Sequence, residues 1–190
     1  SHRLRISSVQ ITDLALPGVK LIQLKVHRDQ RGSFAETYRE ADWRPLLGAA
    51  HFIQDNLSRS AVAGTIRGLH YQVAPFAQAK LVQVLAGRIF DIAIDLRRGS
   101  ASFGRHVGVE LSAEDGRQVF VPAGFAHGFM TLTAECLVAY KVTAEYDPKS
   151  ERGLAWDDPD LGIAWPATEA RILSPRDQQW PRLKDQPDLF

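Results

Sequence analysis

The chain has 190 residues, of which 45% are hydrophobic and 24% are charged, and its formal net charge is +1 at pH 7. This length allows one sizeable core, so we expect a single domain over residues 3–190. A net charge this small provides no long-range field that would attract nucleic acid or an acidic membrane surface. We therefore expect a small anionic ligand, bound by local Arg and Lys side chains.

The hydrophobic pattern, the first residues and the cysteine content indicate in which compartment the protein is expected. No stretch reaches the roughly 20 apolar residues of a membrane-spanning helix, and the first residues lack a secretory pattern. We therefore expect a cytoplasmic protein without membrane contact. Ser1 and His2 are interpreted as a possible tag remnant. Cys136 is the one cysteine, which excludes internal disulfides, and its apolar neighbours predict a buried small hydrophobe.

Short strands dominate the pattern in chain order. Apolar residues alternate over residues 21–26, and the same period of two recurs over residues 90–96 and 107–111. Turn residues separate these segments at short intervals. The pattern predicts an all-β centre from about residue 53 to about residue 143, arranged as a jelly-roll barrel.

Helical patterns are confined to the periphery. Glu40–Leu47 favours a short helix, which Pro45 is expected to limit unless it lies in the first turn. The tail from residue 157 is rich in Pro, Asp and Trp. Its large apolar residues need a buried surface, so we predict a structured C-terminal wrap of loops and short helices.

Two histidine motifs match the spacing of cupin jelly rolls. Residues 64–70 and 122–127 end at His70 and His127, but Gln72 stands where a cupin usually places another His. A divalent metal normally takes three or four imidazole or carboxylate ligands. We therefore expect no metal at these residues.

Without a metal, His70 is free to act as a general base, because an imidazole titrates near neutral pH. The neighbouring Arg67 indicates a wet, charged pocket. Such a base needs a carboxylate that orients its second ring nitrogen. Asp91 and Asp95 lie on the strand face opposite Phe90, and the pattern favours an outward or a hydrogen-bonded structural role for both.

Three fragments carry a more specific pattern, namely RGSFAE at 31–36, QDNLS at 54–58 and RGLHYQ at 67–72. Their order and spacing closely resemble the signature of the dTDP-4-dehydrorhamnose 3,5-epimerase family. Similar fragments follow at residues 79–82, 91–97, 102–104, 122–129, 140–141, 146–148, 156–159, 163–166 and 173–177. The resemblance spans roughly residues 15–180, and this joint ordering is hard to obtain by chance.

The resemblance implies an all-β, cupin-type jelly roll and an isomerase that uses no cofactor. Its substrate would be dTDP-4-dehydro-6-deoxy-D-glucose, epimerised at C3 and C5 by proton exchange alpha to the C4 ketone. Inversion through an enolate needs a base on one face, an acid on the other and a cation near the oxyanion. The resemblance gives these roles to His70 with Asp177 as its partner, to Tyr140 and to Lys80.

The resemblance also implies the contacts that hold the substrate. Arg31 and Arg67 match diphosphate-binding positions, for which forked guanidinium groups are suited. His127 matches a ligand contact near the ketone, and Phe34 and Tyr146 would flank the pyrimidine ring. The other matched binding positions are Glu36, Gln54, Asp55, Asn56, Lys80, Glu151 and Arg176.

Two positions depart from the family pattern. Ser33 stands where many members carry a bulky aromatic residue, and Arg176 stands where many carry Lys, so nucleotide selectivity stays open. Members of the family are homodimers that exchange an N-terminal strand, and residues 21–26 are the candidate strand here.

Alternative functions remain open at this level. A C3-only epimerase, or an epimerase of another nucleotide-linked 4-keto sugar, would keep the same chemistry. A metal-dependent cupin oxygenase would instead bind iron through His70 and His127. A non-catalytic sugar-binding module is disfavoured, because the positions of the acid and the base are filled.

Overall fold

The protein is represented by a computed structural model that describes residues 5–6 and 9–190. The possible tag residues Ser1 and His2 lie outside the described residues. Helix α1 spans Glu40–Leu47, and a 3₁₀ helix spans Leu183–Asp185. Neither helix in these ranges has the length and apolar character needed to cross a lipid bilayer.

The strands, numbered in chain order, are β1 (Arg5–Ile6), β2 (Val9–Asp13), β3 (Lys20–Leu24), β4 (Val26–Asp29), β5 (Gly32–Ala35), β6 (Gln54–Ser60), β7 (Ile66–Gln72), β8 (Lys80–Ala86), β9 (Arg88–Asp95), β10 (His106–Ser112), β11 (Arg117–Val121), β12 (Phe125–Thr131), β13 (Cys136–Val142) and β14 (Glu151–Gly153).

Most of these strands belong to two antiparallel sheets. One sheet has seven strands in the order β1-β2-β3-β11-β8-β13-β6, and the other has five in the order β10-β9-β12-β7-β14. Strands β4 and β5 pair separately as a hairpin. Many neighbouring strands are distant in sequence, as in jelly rolls built from Greek keys. The prediction of an all-β, cupin-type jelly roll is confirmed.

The space between the two sheets is partly apolar core and partly cavity. Val82 and Val138 of the seven-stranded sheet belong to one buried cluster with Phe129 of the five-stranded sheet. Residues two apart on a strand share a face. Lys80 and Tyr140 therefore lie on the same faces as Val82 and Val138, and polar groups enter the interior where the apolar packing ends.

Helix α1 covers the outer face of the seven-stranded sheet. Its Trp43 is only 1% exposed and contacts the ring of Phe120. The helix continues for two residues beyond Pro45, so the expected limit at Pro45 is wrong. Pro45 forgoes one intrahelical hydrogen bond, and the burial of Trp43 offsets this loss in a helix of two turns.

The C-terminal wrap is structured, as predicted, and it covers the outer face of the five-stranded sheet. Leu161, Ile163 and Trp165 pack against Ile92 and Ile94 of β9. Cys136 is a buried free thiol, which also agrees with the sequence. Because the wrap lies on one face of β9 and the other sheet lies on the opposite face, both faces of β9 are buried.

Residues 21–26 do not form one strand. β3 ends at Leu24 and β4 begins at Val26, where the chain leaves the large sheet to form the hairpin. β3 pairs with β2 on one side and with β11 on the other, so both of its edges are occupied within this chain. The single-strand prediction is wrong here, because alternation does not indicate a change of pairing partner.

Asp95, at the buried end of β9, holds the following turn. Its carboxylate accepts two hydrogen bonds from the Arg97 guanidinium, both at 3.0 Å, and one from each hydroxyl of Ser100 and Ser102 at 2.6 Å. Burial alone would raise the pKa of Asp95, but these donors outweigh burial and hold it well below its usual range. This is the structural role that the sequence pattern favoured.

The variant Asp95→Asn is expected to lower the free energy of unfolding by about 3 kcal/mol at neutral pH, because Arg97 loses its ion pair. Since the folded pKa of Asp95 lies below the unfolded value of about 3.9, its charge stabilises the fold fully above that pH and progressively less below it. Urea unfolding of the native protein and the variant at about pH 7 and about pH 3 measures this, and the difference should shrink in acid.

Asp160→Asn, at an exposed carboxylate of the wrap, is the matched control and should change stability by less than about 0.5 kcal/mol. Equal stability of native protein and Asp95→Asn at neutral pH would contradict the role of Asp95.

Candidate active site

A cleft opens between the two sheets where the apolar core ends. Its inner part has a volume of about 470 Å³ and its outer part about 540 Å³. The two parts are continuous, because they share the lining residues Arg67, His70, Lys80 and Tyr140. These volumes lie in the range of small-molecule sites.

His70 and Asp177 form a hydrogen-bonded dyad on one wall of the cleft. His70 Nε2, on β7, lies 2.6 Å from Asp177 Oδ1, which the C-terminal wrap brings to it. The Gly68 N–H donates to Asp177 Oδ2 at 3.0 Å, and the Trp180 indole N–H donates to Oδ1 at 3.1 Å. Burial alone would raise the pKa of Asp177, but these hydrogen bonds together lower it. Because Nε2 faces an ionised carboxylate, Nδ1 is the ring nitrogen left to accept a proton.

Tyr140 and Lys80 come from the seven-stranded sheet and therefore face His70 from the other wall. Burial raises the pKa of Tyr140, with a partial opposing effect from the charge of Arg67, so the phenol is protonated at neutral pH. Asn56 is the register partner of Tyr140 on β6, and both residues line the outer part of the cleft. Lys80 Nζ lies 5.9 Å from the centroid of the Tyr140 ring.

Lys80, 9% exposed, lies beside a second carboxylate–histidine pair. Burial lowers the pKa of Lys80 to about 8, while the charges of Asp91 and Glu151 favour its protonated form. Asp91 is buried as well, and its Oδ2 lies 2.7 Å from His127 Nε2. Asp91 is therefore not outward-facing, because its face of β9 lines the inter-sheet space, and it takes the hydrogen-bonded role that the sequence pattern favoured as the other possibility.

Gln72 takes no part in the two histidine pairs. Its amide donates to two main-chain carbonyl oxygens and accepts a hydrogen bond from the Asp147 N–H at 2.9 Å, so it ties neighbouring loops together. Over the described ranges, no group of three or more His, Cys, Asp or Glu side chains is arranged to hold a metal ion.

The outer part of the cleft gathers several predicted binding residues. The Tyr146 hydroxyl donates to Glu151 at 2.7 Å, and Arg176 forms an ion pair with the same carboxylate. Gln54 Oε1 accepts a hydrogen bond from the Tyr146 N–H at 3.0 Å. The structure thus brings Gln54, Asn56, Arg67, His127, Tyr146, Glu151 and Arg176 to one cleft with the four predicted catalytic residues.

Three predicted binding residues lie on or beside the β4–β5 hairpin, away from the cleft. Arg31 pairs with Asp29 at 2.6 Å, and Phe34 is 72% exposed. Glu36 pairs with Arg39 at 2.7 Å. Within this chain, the prediction that these three residues join the site is not met, because the hairpin pairs only with itself.

Asp55 also lies outside the cleft. Its side chain is exposed and bonds to Lys141 at 2.9 Å on the outer face of the sheet. Adjacent residues of a strand face opposite sides, and Gln54 and Asn56 take the cleft side of β6. Within this chain, the prediction that Asp55 contacts the ligand is therefore not met.

Sequence reasoning missed Ser58, which lines the cleft, and Trp180, which lies behind the dyad. Ser58 shares the inner face of β6 with Asn56, and its buried Oγ has no hydrogen-bond partner within the part of the chain that the structure describes. The alternation of β6 could have identified it. Trp180 contacts the dyad through the wrap, and no local pattern predicts that contact.

Comparison with known proteins finds relatives over nearly the whole chain. The family model described as dTDP-4-dehydrorhamnose 3,5-epimerase matches residues 13–185. A protein of that name from Sinorhizobium fredii is 49% identical over 177 residues, covering 93% of this chain and 91% of the relative. Another of that name, from Pseudomonas aeruginosa, is 47% identical over 172 residues, covering 90% and 94%. A crystal structure of dTDP-6-deoxy-D-glucose-3,5-epimerase from Legionella pneumophila in complex with dTDP-4-keto-L-rhamnose matches with a TM-score of 0.89 and 45% identity, covering 93% of this chain and 94% of that chain.

Proposed function

The chain belongs to the dTDP-4-dehydrorhamnose 3,5-epimerase family, and we propose that its cleft converts dTDP-4-dehydro-6-deoxy-D-glucose to dTDP-4-dehydro-L-rhamnose. The enzyme is an isomerase that inverts C3 and C5, the two carbons beside the C4 ketone. The observation that carries the proposal is the His70–Asp177 dyad, which shares one cleft with Tyr140 on the opposite sheet.

His70 is the proposed general base. Its Nδ1 takes the proton from C3 or C5, and the electron pair of that C–H bond moves into the enolate. Asp177 holds the ring through Nε2 and stabilises the imidazolium that forms. The buried position of Asp177 strengthens this interaction, because water screens a buried carboxylate less than an exposed one.

Lys80 is the proposed cation at the enolate oxygen. A preorganised charge in a buried site stabilises developing negative charge more than the same charge in water does. His127, held through its Nε2 by Asp91, would contact the ligand near the same oxygen. The ketone itself accepts the electrons, so the chemistry needs no cofactor.

Tyr140 is the proposed general acid on the opposite face. Its protonated phenol delivers a proton to the enolate carbon from the seven-stranded sheet, while the base acts from the five-stranded sheet. Removal from one face and return on the other inverts the stereocentre.

The outer part of the cleft is the proposed nucleotide site. Arg67 lines both parts of the cleft and Arg176 lines the adjoining inner part, and the two supply guanidinium groups for the diphosphate. Tyr146 offers an aromatic face to the pyrimidine, and Gln54 and Glu151 supply polar contacts. The dTDP-sugar complex of the Legionella relative supports this assignment.

We also propose that the chain acts as a homodimer in the cytoplasm, with residues 3–190 as one epimerase domain. The exposed Phe34 and Arg31 on the β4–β5 hairpin support this, since the hairpin of one subunit would supply them, with Glu36, to the cleft of its partner. The exchanged element is then the hairpin rather than β3, whose two edges are both occupied.

Incubation with dTDP-4-dehydro-6-deoxy-D-glucose in heavy water tests the function. Deuterium at both C3 and C5 of the product, seen by mass spectrometry and NMR, is expected. Deuterium at C3 alone would establish the C3-only alternative. Complete absence of exchange would refute the proposal.

The activity should fall at alkaline pH because Lys80 loses its charge. Burial lowers the pKa of Lys80 to about 8, so kcat/KM is expected to fall roughly tenfold per pH unit above that value. In Lys80→Arg the guanidinium stays charged throughout, so a slower enzyme should keep its activity to higher pH. Initial rates from about pH 6 to about pH 10 measure this.

Lys141→Arg is the matched control, because Lys141 pairs with Asp55 outside the cleft. It should leave the alkaline limb of the native profile in place. An unchanged alkaline limb in Lys80→Arg would show that another group controls it.

A further inference from the structure

Trp180 touches both members of the proposed dyad. Its indole N–H donates to Asp177 Oδ1 at 3.1 Å, and the same oxygen lies 2.6 Å from His70 Nε2. The indole ring also meets the imidazole edge-on, with 6.2 Å between ring centroids and 73° between ring planes. Two donors therefore share one carboxylate oxygen.

The position of the indole is fixed from two further sides. It rests directly on the backbone of Gly153 in β14, where a Cβ atom would come within 2.4 Å of the ring. Gly153 is the register partner of His70, so Trp180 is fitted to the strand pair that carries the imidazole. On another side, the Arg176 guanidinium carbon lies 5.1 Å from the ring centroid.

We propose that Trp180 is a positioning residue that fixes the Asp177 carboxylate against His70 and limits how strongly that carboxylate attracts the imidazole proton. The inference rests on the proposed function, because it assigns His70 as the base. It adds a third member to the dyad, and this member acts through Asp177 without touching the substrate.

The physical basis is competition at one oxygen. A hydrogen bond from the indole stabilises the Asp177 carboxylate, which then draws less on the N–H of the imidazole. When the carboxylate draws less on the Nε2 proton, Nδ1 holds an added proton less tightly. The ring then remains available as a base down to lower pH. Without the indole N–H, Asp177 interacts with His70 alone at Oδ1 and favours the imidazolium.

Other charged and titratable groups face the dyad from the surrounding elements and stay in place when only the indole is altered. They are Arg67 on β7, Lys80 on β8, His127 on β12, Tyr140 on β13, Glu151 on β14 and Arg176 in the wrap. The acidic limb of the pH profile of kcat/KM is the part in which activity falls at low pH. A change in this limb therefore reports on the indole.

Trp180→Phe tests the proposal, because it retains an aromatic ring on Gly153 and removes the N–H. The acidic limb of the pH profile of kcat/KM is expected to move to higher pH by roughly 0.5 to 1 unit. A residue that only filled space would lower the rate at every pH and leave the limb in place. Gly153→Ala should produce the same displacement of the limb, because the new methyl group forces the indole away from Asp177.

Trp165→Phe is the matched control. It removes another indole hydrogen bond of the wrap, which Trp165 donates to the Trp156 carbonyl oxygen at 2.8 Å outside the cleft. Its acidic limb should superimpose on that of the native enzyme. Unchanged limbs in both Trp180→Phe and Gly153→Ala, with an active native enzyme, would overturn the role of Trp180 alone. A native enzyme without deuterium exchange would overturn the proposed function and this inference with it.

Discussion

Replacing His70 by asparagine is expected to lower deuterium exchange at C3 and C5 by about 10²- to 10⁴-fold, the range typical of a lost general base. Asparagine approximates the shape of the imidazole but cannot accept the substrate proton. Lys80 and the rest of the cleft remain, so binding should change far less than turnover. Mass spectrometry of deuterium incorporation gives the rate, and titration with dTDP gives the affinity.

The matched control for this variant is His106→Asn. His106 lies on β10, at the edge of the five-stranded sheet, and does not line the cleft. Its exchange rate should equal that of the native enzyme. Native exchange rates in His70→Asn would remove His70 as the base, whatever the behaviour of the control.

Tyr140→Phe is expected to lower the formation of epimerised product by about 10²- to 10⁴-fold, because the enolate has no proton donor on its second face. The base and the cation are still present, so the enolate should form and take deuterium back from the side of His70. Recovered substrate should therefore gain deuterium without inversion. NMR of the recovered and converted sugars separates the two outcomes.

Tyr38→Phe supplies the comparison, since the Tyr38 ring stacks under Lys141 on the outer side of the sheet. This variant should epimerise at the native rate. If Tyr140→Phe lost exchange and inversion in equal measure, Tyr140 would act before the enolate forms, and its assignment as the acid would be wrong.

The fold was predictable where one local pattern dominates. Phe90, Ile92 and Ile94 alternate along β9 and do share a buried face. The helix at Glu40–Leu47 was located correctly, although its tolerance of Pro45 depends on packing that no local pattern contains. The break at Lys25 also escaped prediction, because pairing with a distant strand decides where β3 ends.

Site residues were predictable from the sequence pattern alone where they lie close together along the chain. His70 and Arg67 lie on one strand and signal a pocket together, whereas Asp177 lies 107 residues away and was found only through family resemblance. Asp55 was expected in the cleft but lies on the outer face of β6, because a motif names residues without saying which side of a strand they face. Trp180 was missed because its contact depends on how the wrap lies over Gly153.

The wrap has one more consequence, which concerns the link between local stability and turnover. Asp177 and Trp180 both belong to it, whereas His70, Lys80 and Tyr140 are built into the sheets. Local opening of a peripheral segment needs less free energy than global unfolding. A molecule whose wrap has detached would keep its sheets yet lose the partner of its base, so it would be folded and idle. Substrate that binds only the closed form would draw such molecules back by mass action, so the active fraction should rise with substrate supply.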